Sequence, residues 1–320
     1  MSARPRARAR LPLVFLMGPT AAGKTRLAME LAERLPLRAI SVDSAMVYRG
    51  MDIGTGKPER EVLARVPHRL IDIRDPGQTY SAADFRHDAL DEIGKAQGES
   101  KIPFLVGGTG LYFRALRDGL SVLPAADREV RAQLAAQAAE HGWGTLHARL
   151  AQVDPVSAAR IHENDPQRIQ RALEVFELTG VPMSRLLSDR KRVALVNPVH
   201  VVIIEPSHRG RLHADIAARF HGFLRAGLVE EVAELQRRWR LSAGEPCMRA
   251  VGYRQVGEYL QGRVPYEQMA ARAIAATRQL ARRQLTWLRA EGHAARFDCH
   301  AENLVEVVLA SLGKALSGGT

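Results

Sequence analysis

Residues 18–25 constrain the fold more than any other part of the chain, because they match the motif G-x-x-x-x-G-K-[ST] in full. The apolar run Leu13–Met17 before the motif predicts a buried strand, and the stretch after it to about Leu35 predicts an amphipathic helix. In this context, backbone N–H groups and the N-terminus of the helix surround a bound anion. Lys24 adds a positive charge, and the Thr25 hydroxyl can hold Mg²⁺. The sequence therefore predicts a site for a di- or triphosphate.

The predicted phosphate loop has eight residues: Gly18, Pro19, Thr20, Ala21, Ala22, Gly23, Lys24 and Thr25. The motif alone does not identify the phosphate compound. The guanine-reading sequence N-K-x-D does not occur in the chain. A nucleotide hydrolase would also need a metal-binding aspartate after a strand, and Asp72 is a weak candidate for that role. A plain nucleotide hydrolase is therefore possible but poorly supported.

Four further apolar runs predict strands, at Arg38–Val42, His68–Ile73, Ile102–Val106 and His200–Ile204. The segments between the first three of these runs have helical character. Strands that alternate with helices are typical of a parallel sheet covered by helices. The predicted fold class is therefore α/β with a parallel sheet core.

The pattern changes between residues 121 and 197, where strand-like runs disappear and helical periodicity dominates. Asp165 can cap a helix in this region, Pro166 suits its first turn and Gly180 can end it. We therefore predict three segments. Residues 11–120 form the first part of the core, residues 121–197 form a helical insertion, and residues 198–320 form the second part of the core with basic helices.

The 320-residue chain has a formal net charge of +11, which favours polyanionic partners but also fits a generic basic protein. Its two cysteines, Cys247 and Cys299, are far apart and predict neither a zinc site nor a disulfide framework. We expect a cytoplasmic monomer that does not cross a membrane. The arginine-rich residues 1–10 are expected to form a solvated tail.

Two candidate reactive residues follow predicted strands. Asp43 comes directly after the second strand, and Thr109 follows the run Ile102–Val106 within the sequence G-G-T-G. Ligands of open α/β sheets bind beyond the carboxyl ends of the strands, where a carboxylate can accept a proton. The alternatives are that Asp43 only caps a turn and that Thr109 belongs to a tight turn without chemistry.

Six motifs in this order resemble the tRNA dimethylallyltransferase family. They are G-P-T-A-A-G-K-T, D-S-A-M-V-Y-R-G-M-D-I-G-T-G-K-P, G-G-T-G-L-Y, D-P-Q-R-I-Q-R-A-L-E-V-F-E-L-T-G, A-V-G-Y-R-Q and R-Q-L-A-R-R-Q-L-T-W-L-R. The resemblance covers about residues 14–290. It implies a P-loop kinase-like core in which the loop binds the diphosphate of dimethylallyl diphosphate with Mg²⁺.

The same resemblance implies that the prenyl group is transferred to N6 of adenosine 37, beside the anticodon of a tRNA. The base would be flipped out of the anticodon loop to reach the site. Asp43 matches the general base for the N6 amine, and Thr109 matches a hydrogen-bonding residue at the reacting centre. Lys24 and Arg219 match a clamp on the leaving diphosphate.

The resemblance also assigns residues that contact the tRNA anticodon stem-loop, including the helix predicted after Asp165. These residues are Asp43, Ser44, Ala45, Met46, Thr109, Arg131, Gln167, Arg168, Ile169, Gln170, Arg171, Cys247, Met248, Arg249, Ala250, Val251, Gly252, Tyr253, Arg278, Arg282 and Arg283. Arg278 and Arg282 share a helix face at a spacing that is unfavourable without a nearby anion. Trp287 lies in an apolar stripe and is expected to pack in the core rather than stack on a base.

Three other functions remain open from the sequence. A nucleotide or nucleoside kinase would use the same loop for ATP, and an RNA-binding ATPase would use it as a switch. Some members of the family prenylate free adenine nucleotides, although the basic insertion favours tRNA as the acceptor.

Overall fold

The structure is a computed structural model that describes residues 11–121, 123–188, 194–242 and 244–317. The predicted arginine-rich tail at residues 1–10 lies outside these described residues. The chain divides into two compact units. One unit contains Met1–Arg117 and Val196–Thr320, and the other contains Asp118–Leu195.

The first unit is built on a six-stranded sheet in which every neighbouring pair is parallel. The strands are β1 (Leu13–Met17), β2 (Leu37–Val42), β3 (His68–Arg69), β4 (Ile102–Gly107), β5 (Val199–Glu205) and β6 (Ala295–Asp298). Their order across the sheet is β3-β2-β4-β1-β5-β6. The predicted α/β class with a parallel sheet is confirmed.

Two strands differ from the prediction. β3 ends at Arg69 rather than Ile73, because Leu70 and Asp72 have φ angles of 64° and 55°, which no strand accommodates. β6 was not predicted at all. It is a four-residue edge strand, A-R-F-D, and is too short and too polar to show an apolar run.

Helices cover this sheet and extend beyond it. Those of the first unit are α1 (Lys24–Ala32), α2 (Arg60–Arg65), α3 (Ala82–Gly98), α4 (Gly110–Asp118), α9 (Arg209–Arg225), α10 (Leu228–Trp239), α11 (Tyr253–Leu260), α12 (Tyr266–Leu288) and α13 (Leu304–Ser317), with a short 3₁₀ helix at Cys247–Arg249. β1 is fully buried, and Leu16 packs with Leu27 of α1 and Val308 of α13. No helix in the described part of the chain is both long and apolar enough to span a bilayer.

All the regular secondary structure described in the second unit is helical. Its helices are α5 (Arg128–Val153), α6 (Pro155–Ala158), α7 (Pro166–Thr179) and α8 (Met183–Ser188). α7 begins and ends as predicted, because the Asp165 side chain accepts a hydrogen bond from the Arg168 N–H and Gly180 adopts a left-handed conformation. Ile169 and Leu173 of α7 pack against Leu134 and Leu150 of α5.

Candidate active site

The phosphate loop lies between the end of β1 and the start of α1. Gly23 adopts φ 75°, which favours glycine, and it immediately precedes Lys24, the first residue of the helix. Gly18 has no room for a side chain, because a Cβ atom there would lie 2.4 Å from the Ile204 carbonyl oxygen. The two glycines therefore allow the loop to turn tightly above the carboxyl ends of β1 and β5.

Two cations converge on this loop. The Lys24 Nζ donates hydrogen bonds to the carbonyl oxygens of Gly18 and Pro19, at 2.9 and 2.7 Å. The Arg219 guanidinium lies 3.5 Å from the Thr20 hydroxyl and also donates to the Thr55 carbonyl at 3.3 Å. Burial, and then the charge of Arg219, lowers the pKa of Lys24 to about 8. Because each cation disfavours the other, the cluster is suited to an anion that neutralises both.

Asp43 lies next to these cations at the carboxyl end of β2. Its Oδ1 accepts hydrogen bonds from the N–H groups of Ala45 and Met46, at 2.8 and 3.2 Å. The turn cap proposed as an alternative is therefore present. Both bonds end on the same oxygen, and none of the hydrogen bonds found among the described residues ends on Oδ2. The negative charge of Asp43 also favours the charged forms of Lys24 and Arg219.

The G-G-T-G turn brings Thr109 close to the end of β2. A Cβ atom on Gly107 would lie 2.1 Å from the Val42 carbonyl oxygen, so only glycine fits where β4 approaches β2. The Thr109 N–H donates to the same Val42 carbonyl at 3.3 Å. Val42 immediately precedes Asp43. The backbone thus connects the two residues that were predicted separately from two strand ends.

A cavity of about 810 Å³ brings Lys24, Asp43, Thr109 and Arg219 together. Thirteen other predicted site residues also line it: Thr20, Ala21, Gly23, Thr25, Ser44, Ala45, Met46, Arg249, Ala250, Val251, Gly252, Tyr253 and Arg283. Trp287 is half-buried. It lines the cavity and also packs against Phe113, with ring centroids 6.3 Å apart.

Glu231 holds residues 52–54 in place, and it was not predicted as a site residue. Its carboxylate accepts hydrogen bonds from the N–H groups of Asp52, Ile53 and Gly54, at 3.0, 2.7 and 3.3 Å. It also accepts one from the Tyr253 hydroxyl at 2.6 Å. Tyr253 is fully buried, and burial raises the pKa of its hydroxyl. In the structure, Tyr253 therefore supports the wall of the cavity, and its contact with tRNA stays a prediction.

Two further residues of this region, His68 and Lys57, were not predicted as site residues from the sequence. His68 lines the cavity, its Nδ1 lies 2.8 Å from the Val66 carbonyl, and its buried Nε2 has no hydrogen-bond partner among the described residues. Lys57 is buried and binds the Asp72 carboxylate at 2.6 Å, together with that of Asp52. Asp72, the weak metal-binding candidate, is therefore held in an ion pair and does not line the cavity.

The remaining predicted contacts of the first unit lie outside the cavity. The side chains of Cys247 and Met248 are buried, and those of Arg278 and Arg282 are exposed on α12. None of the ion pairs found among the described residues involves these two arginines or Arg283. A basic helix face without internal counter-charges is thus available to a polyanion.

In the helical unit, a buried carboxylate binds two of the predicted tRNA-contacting arginines. Glu174 is fully buried and accepts hydrogen bonds from Arg131 at 2.8 and 3.1 Å and from Arg171 at 2.7 Å. Gln167 and Arg168 are exposed, whereas Ile169 is buried in the core. Gln170 is half-buried and donates to the Arg131 carbonyl at 2.9 Å.

Cys299 lies beside Asp298 and His300, with one possible ligand atom from each within 4.8 Å of the others. Hydrogen bonds already occupy this group. The two Asp298 oxygens accept from Ser207 and from the His300 N–H, and the His300 Nε2 lies 2.8 Å from Asp215. Burial raises the pKa of the Cys299 thiol to about 11. The absence of a zinc site stays a prediction.

Comparison with known proteins identifies the family. The model of a family described as IPP transferase matches residues 46–291. The chain belongs to this IPP transferase family. It is 34% identical to the tRNA isopentenylpyrophosphate transferase of Bacillus halodurans, with a TM-score of 0.70 and coverage of 96% of this chain and 97% of that one.

Two other solved structures are similar to this transferase. The tRNA delta(2)-isopentenylpyrophosphate transferase of Staphylococcus epidermidis is 29% identical over 95% of this chain and 99% of that one, with a TM-score of 0.68. A eukaryotic dimethylallyltransferase acting on tRNA is 22% identical over 96% of this chain and 79% of that one, with a TM-score of 0.78. At that identity, the eukaryotic match supports the shared fold alone.

Proposed function

We propose that the enzyme transfers a dimethylallyl group from dimethylallyl diphosphate to N6 of adenosine 37 in the anticodon loop of tRNA. The observation that carries this proposal is the position of Asp43 in the same cavity as Lys24 and Arg219. A carboxylate next to an anion-binding loop is suited to a reaction in which a nucleophile loses a proton while a diphosphate leaves.

The proposed step forms a bond between N6 of the adenine and C1 of the dimethylallyl group, and breaks the bond between C1 and the diphosphate oxygen. The electron pair of the broken bond leaves with the diphosphate. The proton of the N6 amine moves to the Asp43 carboxylate through Oδ2, while Oδ1 keeps its two backbone hydrogen bonds. The products are prenylated adenosine and inorganic diphosphate, and the step needs no oxidant or reductant.

The cations act on the leaving group. Negative charge develops on the diphosphate as the bond to C1 breaks, and Lys24 and Arg219 are placed to stabilise it. A bound diphosphate replaces the Gly18 and Pro19 carbonyls as the partner of the Lys24 ammonium. Thr109, which the backbone ties to the residue before Asp43, is placed to hydrogen-bond the acceptor at the reacting centre.

The residues that line the cavity fit a magnesium ion that would be held mainly by the phosphates of dimethylallyl diphosphate. The Thr25 hydroxyl offers a hard oxygen ligand to the cavity, and Mg²⁺ typically takes one or two protein oxygen ligands together with substrate phosphates and waters. When bound, Mg²⁺ would add positive charge at the diphosphate. Thr25 is the residue that we expect to hold it.

The charge distribution supports RNA as the acceptor. Arg249 and Arg283 line the cavity, and Arg278 and Arg282 are exposed on α12. The chain as a whole has a formal net charge of +11. Such a surface attracts an RNA backbone and makes binding depend strongly on salt. Recognition of the anticodon stem-loop by the helical unit, a monomeric state and a cytoplasmic location stay predictions.

The test is label transfer from radioactive dimethylallyl diphosphate. We expect label in an unmodified anticodon stem-loop with adenosine at position 37, and none in a matched RNA with guanosine there, which lacks the N6 amine. Label in AMP at a rate equal to that in RNA would make a free nucleotide the acceptor. Transfer of the γ-phosphate of ATP, with no prenyl transfer, would replace the proposal with a kinase.

A further inference from the structure

Gln284 links two parts of the cavity that lie far apart in the sequence. Its Oε1 accepts a hydrogen bond from the Thr20 N–H at 2.8 Å, and its Nε2 donates one to the Gly108 carbonyl at 3.0 Å. Thr20 belongs to the phosphate loop, and Gly108 belongs to the turn that presents Thr109. Gln284 is only 8% exposed, and its bond to the Gly108 carbonyl is buried.

The contact also explains why residue 108 is glycine. Gly108 is not among the residues with positive φ, so backbone conformation does not demand glycine there. A Cβ atom at this position would lie 2.4 Å from the Gln284 Nε2. The amide therefore occupies the space that a side chain would need. The uncharged amide of Gln284 accepts from one backbone segment and donates to the other at the same time.

We propose that Gln284 is a positioning residue that sets the distance between the phosphate loop and the Gly–Thr turn. This inference rests on the proposed function, in which the loop holds the prenyl donor and the turn faces the acceptor base. Gln284 lines the cavity, but both ends of its amide are bonded to the protein, so it acts through Thr20 and Thr109 rather than on either substrate. Its loss should misplace the reacting atoms without removing a binding group.

The kinetic test compares Gln284→Met with Gln279→Met. Methionine is similar in length to glutamine but forms neither bond, and Gln279 is exposed on the same helix. We expect Gln284→Met to lower kcat about 10- to 100-fold, because small misplacements at a reacting centre have effects of this size. The KM of both substrates should change less than about threefold. A kcat equal to that of Gln279→Met, or a loss confined to KM, would overturn the proposal.

Hydrogen–deuterium exchange tests the same coupling without enzyme activity, so its outcome is independent of the proposed function. In Gln284→Met, exchange should accelerate in the peptides that contain residues 18–25 and 107–110. Gln284→Glu keeps the acceptor for the Thr20 N–H but cannot donate to Gly108. In Gln284→Glu, exchange should therefore stay slow in the peptide that contains residues 18–25 and accelerate in the peptide that contains residues 107–110. This variant replaces Gln284→Met if Gln284→Met does not fold. Unchanged exchange in both peptides would show that Gln284 couples nothing.

Discussion

The cations of the α/β-unit cavity and the arginines of the helical unit have opposite electrostatic surroundings. In the cavity, Lys24 and Arg219 lie close together and no carboxylate of the described residues forms an ion pair with either. In the helical unit, Arg131 and Arg171 share the buried Glu174, which neutralises them. Unpaired cations indicate a site that is completed by a ligand, whereas paired cations stabilise the fold. Identical residue types therefore differ in function according to their partners.

The largest effect should come from Asp43, the one carboxylate among the described residues that line the cavity. Asp43→Asn should lower the single-turnover rate about 10²- to 10⁴-fold, because an amide cannot serve as the base. The amide oxygen can still accept from Ala45 and Met46, so the turn should survive. Binding of tRNA and donor should change little.

Asp91→Asn, on the exposed surface of α3, is the matched control for this substitution and should behave as wild type. A near wild-type single-turnover rate in Asp43→Asn would show that Asp43 is only a turn cap and that it does not act as the base in the cavity.

Lys24→Ala should have the next largest effect, which should weaken the use of dimethylallyl diphosphate and leave tRNA binding unchanged. Loss of a charged hydrogen bond of about 1.5–3 kcal/mol corresponds to a rise of roughly 10- to 100-fold in the KM of dimethylallyl diphosphate. Affinity for tRNA, measured by filter binding, should stay within about twofold. Lys95→Ala, on an exposed face of α3, is the control. Collapse of tRNA binding in Lys24→Ala would mean that the loop faces RNA.

The pKa of Lys24, about 8 in the free enzyme, predicts a pH dependence for donor binding. An anion binds the protonated ammonium, so the KM of the donor should be constant below pH 8 and rise above it. The rise can reach tenfold for each pH unit, because binding then requires uptake of one proton. In Lys24→Arg the guanidinium stays protonated, and its KM should be flat between pH 7 and 10. The same rise in both enzymes would assign the dependence to another group.

These cases also show what the sequence could predict. The phosphate loop, Asp43 and Thr109 follow strands directly, so local sequence and the geometry of a parallel sheet were sufficient to place them together. Gln284 and Glu174 could not be predicted in the same way. The two backbone partners of Gln284 lie 264 and 176 residues away, and Glu174 binds Arg131 at a distance of 43 residues as well as Arg171, three residues away. Nothing in helical periodicity distinguishes either residue from its neighbours. The tRNA contact of Arg171 was predicted from the resemblance, and its ion pair with Glu174, three residues further along α7, leaves that contact a prediction.

The smallest expected effects distinguish an arginine that stabilises the helical unit from one that binds RNA. Arg171 has a side chain that is 28% exposed, and the side chain of Arg168 is 72% exposed. Arg171→Ala leaves Glu174 with Arg131 and the Asp127 N–H, and should lower the free energy of unfolding by about 1–3 kcal/mol in urea titrations. Arg168→Ala should change it by less than about 0.5 kcal/mol.

Arg168→Ala should instead weaken tRNA binding and reduce the slope of log affinity against log salt concentration by about one unit, as expected for one lost phosphate contact. Arg160→Ala, an exposed arginine of the same unit that is not predicted to contact tRNA, is the control and should keep the wild-type slope. A lower affinity with an unchanged slope would make Arg168 a base contact rather than a phosphate contact. If neither affinity nor slope changes in Arg168→Ala, Arg168 does not contact RNA, and the phosphate contacts must come from other basic residues, such as Arg278 and Arg282 of α12.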